Sequence, residues 1–124
     1  MLVVAPLSIL GVWEDEFAKF ADFNYELKVL RGKSAEQKAN TLWQMHGAAL
    51  QVAVINYESA RLLKKQIITW NPDLVIADEG HKIKTPGTKV SRAMYEIGNK
   101  VACYKLVDIL IIIMVSVLCG LDQL

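Results

Sequence analysis

Short apolar runs of strand length alternate along this chain with longer segments in which apolar residues recur at helical spacing, and that alternation leaves few folds open. Leu2-Val3-Val4-Ala5, Val52-Ala53-Val54-Ile55 and Leu74-Val75-Ile76-Ala77 carry no polar residue, as strands buried on both faces do. Tyr25-Glu26-Leu27-Lys28-Val29 alternates apolar and polar residues, the pattern of a half-buried strand. Between them, Trp13, Phe17 and Phe20 stand at i, i+4 and i+7, which predicts a helix with one aromatic face turned inward. Ser34 followed by Gln37 has capping-box spacing, so a helix is expected from Ala35 to about Met45. Ala60 to Trp70 repeats Leu62, Leu63, Ile67 and Trp70 at helical spacing, and Asn71-Pro72 ends it. A last helix is expected from about Lys89 to Ile97. Strands alternating with helices at this period read as right-handed βαβ units, hence an α/β fold with a parallel sheet covered by helices.

Size and composition narrow the function. The chain has 124 residues and 53% hydrophobic side chains, enough for one core and too few for a two-lobed motor. A net charge of +1 argues against a polycation that holds nucleic acid by bulk charge, while leaving room for a local basic surface. Cys103 and Cys119 have neither Cys-x-x-Cys spacing nor a neighbouring His, so reduced thiols and a cytoplasmic location are expected. No signal-peptide pattern opens the sequence, because Pro6 and Gly11 interrupt its apolar start. The apolar run from Ile109 to Leu121 is shorter than the ~20 residues a spanning helix needs, so a membrane role is not expected.

In open parallel sheets, ligands bind at the carboxyl ends of the strands. Asp78 and Glu79 follow such a run directly. One carboxylate there can hold Mg²⁺ through its water shell while the other orients or deprotonates an attacking water. A solvated acidic turn looks the same, and the dipeptide alone leaves both readings open.

The neighbouring residues add to this. Asp78-Glu79-Gly80-His81 after an apolar strand resembles the Walker B box of DEAD/DEAH-type helicases, and the continuation Lys82-Ile83-Lys84 is similar to that of the Swi/Snf-type ATPases. Pro6-Leu7-Ser8-Ile9-Leu10-Gly11-Val12-Trp13-Glu14-Asp15-Glu16-Phe17 resembles that family's motif Ia. Val54-Ile55-Asn56-Tyr57-Glu58 resembles its next strand end, with Asn56 where the family has Ser or Thr. The likeness spans roughly residues 2 to 100.

That resemblance implies part of a RecA-like, P-loop NTPase lobe with helices on both sheet faces, taken from a double-stranded-DNA translocase driven by ATP and Mg²⁺. By the family's pattern Asp78 would hold Mg²⁺, Asp78 and Glu79 would face the nucleotide, and Glu79 would act on the attacking water. His81 would link the nucleotide site to the DNA-contacting motifs, and Ser8 would contact a DNA phosphate. Lys82, Lys84 and Lys89 form either a DNA-facing strip or a solvated loop. Trp13, with Phe17 one turn on, is expected to be a core anchor, and His46 is given no role.

Two parts of the family pattern do not occur. No G-x-x-x-x-G-K-S/T string exists, although such a loop cradles the phosphates; in the family it precedes motif Ia, so it would lie upstream of Met1. Losing its strand is expected to take a central strand from the sheet and expose apolar edges. Downstream, Tyr104-Lys105-Leu106 begins the family's next strand, but Val107-Asp108-Ile109-Leu110 replaces its Thr-Gly-Thr-Pro ending. The expected organisation is a partial helicase lobe over 1–106, carrying motifs Ia to II, and an apolar tail over 107–124 translated out of frame. The expected function is that of a Swi/Snf-like ATPase fragment, inactive alone without a flanking chain or second lobe. A non-catalytic module binding DNA or a partner is the alternative, and a tail acting as an anchor is a third.

Overall fold

The structure, a computed structural model, describes residues 1–32, 34–78 and 87–101, together with the backbone of 103–107. Five strands, β1 (Leu2–Ala5), β2 (Tyr25–Leu30), β3 (Leu50–Asn56), β4 (Leu74–Asp78) and β5 (Cys103–Val107), form one sheet in the order β2-β3-β1-β4-β5. Every pairing is parallel, with Val3 opposite both Val54 and Ile76. Around it lie a single 3-10 turn (Leu7–Ile9) and helices α1 (Leu10–Phe20), α2 (Ala35–Gln44), α3 (Tyr57–Leu62), α4 (Lys64–Trp70) and α5 (Lys89–Lys100).

Strand residues alternate between two cores. Val3, Ala5, Val52, Val54, Leu74 and Ile76 pack on one face beneath Leu10, Trp13 and Phe17 of α1. Leu2, Val4, Ala53, Ile55, Val75 and Ala77 pack on the other, against residues from α2 to α5 that include Leu42, Leu63, Ile67 and Met94. Both faces of the inner strands are therefore dry, which is why their sequences show no alternation. At the edge, β2 is half-buried and exposes Glu26 and Lys28, as its alternation predicts.

Local chemistry sets the helix ends. Ser34 Oγ accepts from the Gln37 amide at 3.2 Å while Gln37 Oε1 accepts from the Ser34 amide at 3.1 Å, the expected capping box. Asn71 adopts a left-handed backbone, φ 57°, and stops α4 one residue before Pro72.

Two expectations are corrected. The segment expected as one helix over 60–70 is two, joined at Leu63 (φ −101°, ψ 17°). It also starts earlier, because Asn56 Oδ1 accepts from the Ser59 amide at 3.1 Å and caps α3. Phe20 is 44% exposed; α1 ends there, and Phe17 completes the aromatic cluster with Phe23 and Tyr25 instead, at 6.5 and 5.2 Å. In the sheet, β1 is hydrogen-bonded to β3 on one side and β4 on the other, and β4 to β5. The apolar run after Asp108 lies outside the described residues, and among those described no helix is long and apolar enough to cross a membrane.

Candidate functional site at the carboxyl rim

With all strands parallel, every strand delivers its carboxyl end to one rim of the sheet. Ser8 sits there, exposed on the 3-10 turn that follows β1. Asp78 ends the adjacent strand β4, whose Ala77 pairs with Val4. Motif Ia and the acidic tip thus come from neighbouring strands, 65 residues apart where Trp13 meets Asp78.

Asp78 is 5% exposed and is held from both sides of the sheet. From the α1 side, the Trp13 indole Nε1 donates to Asp78 Oδ2 at 2.9 Å. From the α3 side, the Tyr57 hydroxyl donates to the Asp78 main-chain carbonyl at 2.5 Å. A buried carboxylate is tolerable only with donors of this kind. Trp13 is fully buried, so it is the expected core anchor and a polar partner of the acidic tip as well. The i, i+4 spacing to Phe17 signalled the first role, and nothing local signalled the second. Replacing Tyr57 by Phe keeps the ring and removes the donor, and is expected to lower stability by about 1 kcal/mol. A urea midpoint indistinguishable from the parent's would show that this bond carries no weight.

Asn56, which departs from the Ser or Thr of the resembling motif, performs the capping that either hydroxyl could also perform. Arg31, overlooked in the sequence, follows β2 at the same rim. Its guanidinium lies beside Gly11 in the first turn of α1, where an added Cβ would sit 3.5 Å from Nη2. Lys38 Nζ donates to Ser59 Oγ at 2.7 Å, and Lys89 is exposed at the start of α5. Glu79, His81, Lys82 and Lys84 lie outside the described residues.

The donor chemistry at Asp78 fits Mg²⁺. An oriented carboxylate oxygen accepts hydrogen bonds from metal-bound water, and Mg²⁺ dehydrates reluctantly and usually keeps several waters beside phosphate oxygens. Among the described residues no group of three or more His, Cys, Asp or Glu side chains could hold a metal ion. A cavity of about 870 Å³ opens elsewhere, at the amino ends of the strands, lined by Met1, His46, Gln51, Trp70 and Asp73 among others. It is at the opposite rim from Asp78.

A five-stranded parallel sheet in this order, with helices on both faces, is a RecA-like α/β fold. The chain belongs to the SNF2-related domain family, which residues 1–102 match. Mouse DNA excision repair protein ERCC-6-like 2 is 33% identical over 100 residues, covering 81% of this chain and 6% of that protein. The DNA repair and recombination protein RAD54-like of Drosophila virilis is 31% identical over 104 residues, covering 80% of this chain and 13% of that protein. The chain therefore spans a small part of the length of these relatives. Among solved structures, the Sulfolobus solfataricus SWI2/SNF2 ATPase core in complex with dsDNA superposes with a TM-score of 0.58 at 21% identity, over 85% of this chain and 20% of that one. The likeness to that structure is one of fold.

Proposed function

We infer that residues 1–106 are the motif Ia to motif II part of the first lobe of an ATP-driven, double-stranded-DNA translocase. The observation that carries this is the Asp78 carboxylate, buried at the rim and tied by Trp13 to the same segment that bears Ser8. In this reading Asp78 holds Mg²⁺ through its water shell, and Glu79 orients or deprotonates the attacking water. When bound, Mg²⁺ supplies neutralisation of the charge that develops on the phosphate oxygens. Ser8, Lys82 and Lys84, with Arg31 added by its place at the rim, meet DNA phosphates; hydroxyls, cations and main-chain amides at a helix start suit that contact. His81 links the two sites. The relatives with repair names and the solved core bound to dsDNA support the same class of substrate.

The 124 residues contain no phosphate loop, so nothing in them cradles the β- and γ-phosphates, and a Walker B carboxylate alone is a weak grip. Steady-state phosphate release by this chain with double-stranded DNA is expected to stay at background. Turnover that disappears in Glu79→Gln would overturn that expectation. The missing string also favours a second reading for the isolated chain, a non-catalytic DNA-binding module. DNA retention without hydrolysis supports it, and failure to retain DNA at low salt removes both the module and the DNA-facing roles.

A further inference from the structure

Trp13 does more at the rim than fill the core. Its indole and the Asp78 carboxylate are both buried, at 0% and 5% exposure, and the N–H to Oδ2 distance is 2.9 Å. A Phe at this position would fill nearly the same space and would leave the carboxylate without this donor. The ring is itself fixed, leaning on Phe17 with centroids 6.4 Å apart and planes at 38°. The helix carrying it follows directly on the 3-10 turn of Ser8.

We propose that Trp13 is a positioning residue that aims the Asp78 carboxylate at the metal through its indole N–H. This rests on the reading of Asp78 as the metal-holding residue. Mg²⁺ demands near-ideal octahedral geometry, so a carboxylate that holds it through its water shell has to face those waters in a set direction, and the indole N–H helps to set it. Hydrogen bonds to the groups around a metal commonly supply that orientation and tune its affinity.

The test uses the full 124-residue chain and Mn²⁺ as the probe for the Mg²⁺ site, with free Mn²⁺ read by electron paramagnetic resonance. Trp13→Phe is expected to weaken Mn²⁺ binding by about tenfold or more, with an unchanged circular dichroism spectrum. Asp78→Asn is expected to abolish binding. Leu10→Ala, which removes packing from the same helix and no N–H, is expected to lower the thermal midpoint and leave the Mn²⁺ affinity alone.

A second readout needs no substitution at position 13. The chain has three tryptophans, and ¹⁵N-labelled indole signals can be assigned from Trp43→Phe and Trp70→Phe. Mn²⁺ is expected to broaden the Trp13 signal and spare the other two, since Trp43 is exposed on α2 and Trp70 lines the opposite rim. Equal Mn²⁺ affinity in Trp13→Phe and the parent, with binding still lost in Asp78→Asn, overturns the role of Trp13 and leaves that of Asp78 standing. Binding indifferent to Asp78→Asn overturns both. If Trp13→Phe does not fold, uniform or absent broadening of the three indoles overturns the proposal.

Discussion

Trp13→Ala is expected to cost more stability than any other single truncation on the α1 face of the sheet, and to leave the chain close to unfolded at room temperature. Trp13 is fully buried in the core that contains Val3, Val54 and Ile76. Truncating a buried aromatic to alanine typically costs about 3–5 kcal/mol, through lost transfer energy and the cavity left behind. The Asp78 carboxylate loses the indole donor in the same step, and a hydrogen bond to a charged group contributes about 1.5–3 kcal/mol. The two do not simply add, because collapse of the helix can admit water to the carboxylate. Even the lower figure is a large fraction of the ~5–15 kcal/mol that a domain has in total. Urea unfolding followed by far-ultraviolet circular dichroism checks it. Trp13→Phe separates the contributions: it keeps most of the packing and should show only the smaller, polar loss. A midpoint for Trp13→Ala within about 1 kcal/mol of the parent would mean that the indole is not the anchor of this face.

The contrast between those two substitutions also marks what could be read from the residues in order. The inner strands were legible because a strand buried on both faces has to be apolar throughout, and Leu2–Ala5, Val52–Ile55 and Leu74–Ala77 are. The edge strand β2 was legible for the opposite reason, since its Glu26 and Lys28 face water. The capping box at Ser34 and the stop at Asn71 are local devices, complete within a few residues. The place of Asp78 at a strand tip is legible because it too is a local property.

What escaped is mostly non-local. Trp13 and Asp78 are 65 positions apart, and a periodicity argument sees only that Trp13 lies on the apolar stripe, not where its N–H goes. Tyr57 reaches Asp78 across 21 positions and looked in sequence like part of a motif rather than a brace. The strand order mattered too. The order β2-β3-β1-β4-β5 is not the order of the chain, and a pattern read residue by residue does not say which strands become neighbours. The misjudged helix boundary at 57–63 is different. Asn56 caps the earlier start through its side chain, and in sequence the same residue stands out only as a departure from the motif.

Binding of the chain to a short DNA duplex should be weak and should fall with salt along a shallow line. The net charge is only +1, so there is no bulk field to hold DNA, and affinity has to come from a few cations. Each phosphate neutralised on duplex DNA contributes about −0.9 to the slope of log K against log salt concentration. Lys82 and Lys84, with or without Arg31, give a slope of about −1.8 to −2.7, hence an affinity loss of about 12- to 40-fold between 50 and 200 mM salt. The substitutions should separate by charge. Lys82→Gln together with Lys84→Gln should weaken binding and flatten the slope to about −0.9, leaving Arg31 as the remaining contact. Ser8→Ala removes a neutral donor, so it should weaken binding at every salt concentration and leave the slope as it was. Fluorescence anisotropy of a labelled duplex over a salt series measures both quantities. A steep slope that survives loss of both lysines would place the DNA on a different surface. A slope near zero would mean that the rim does not meet the phosphate backbone at all.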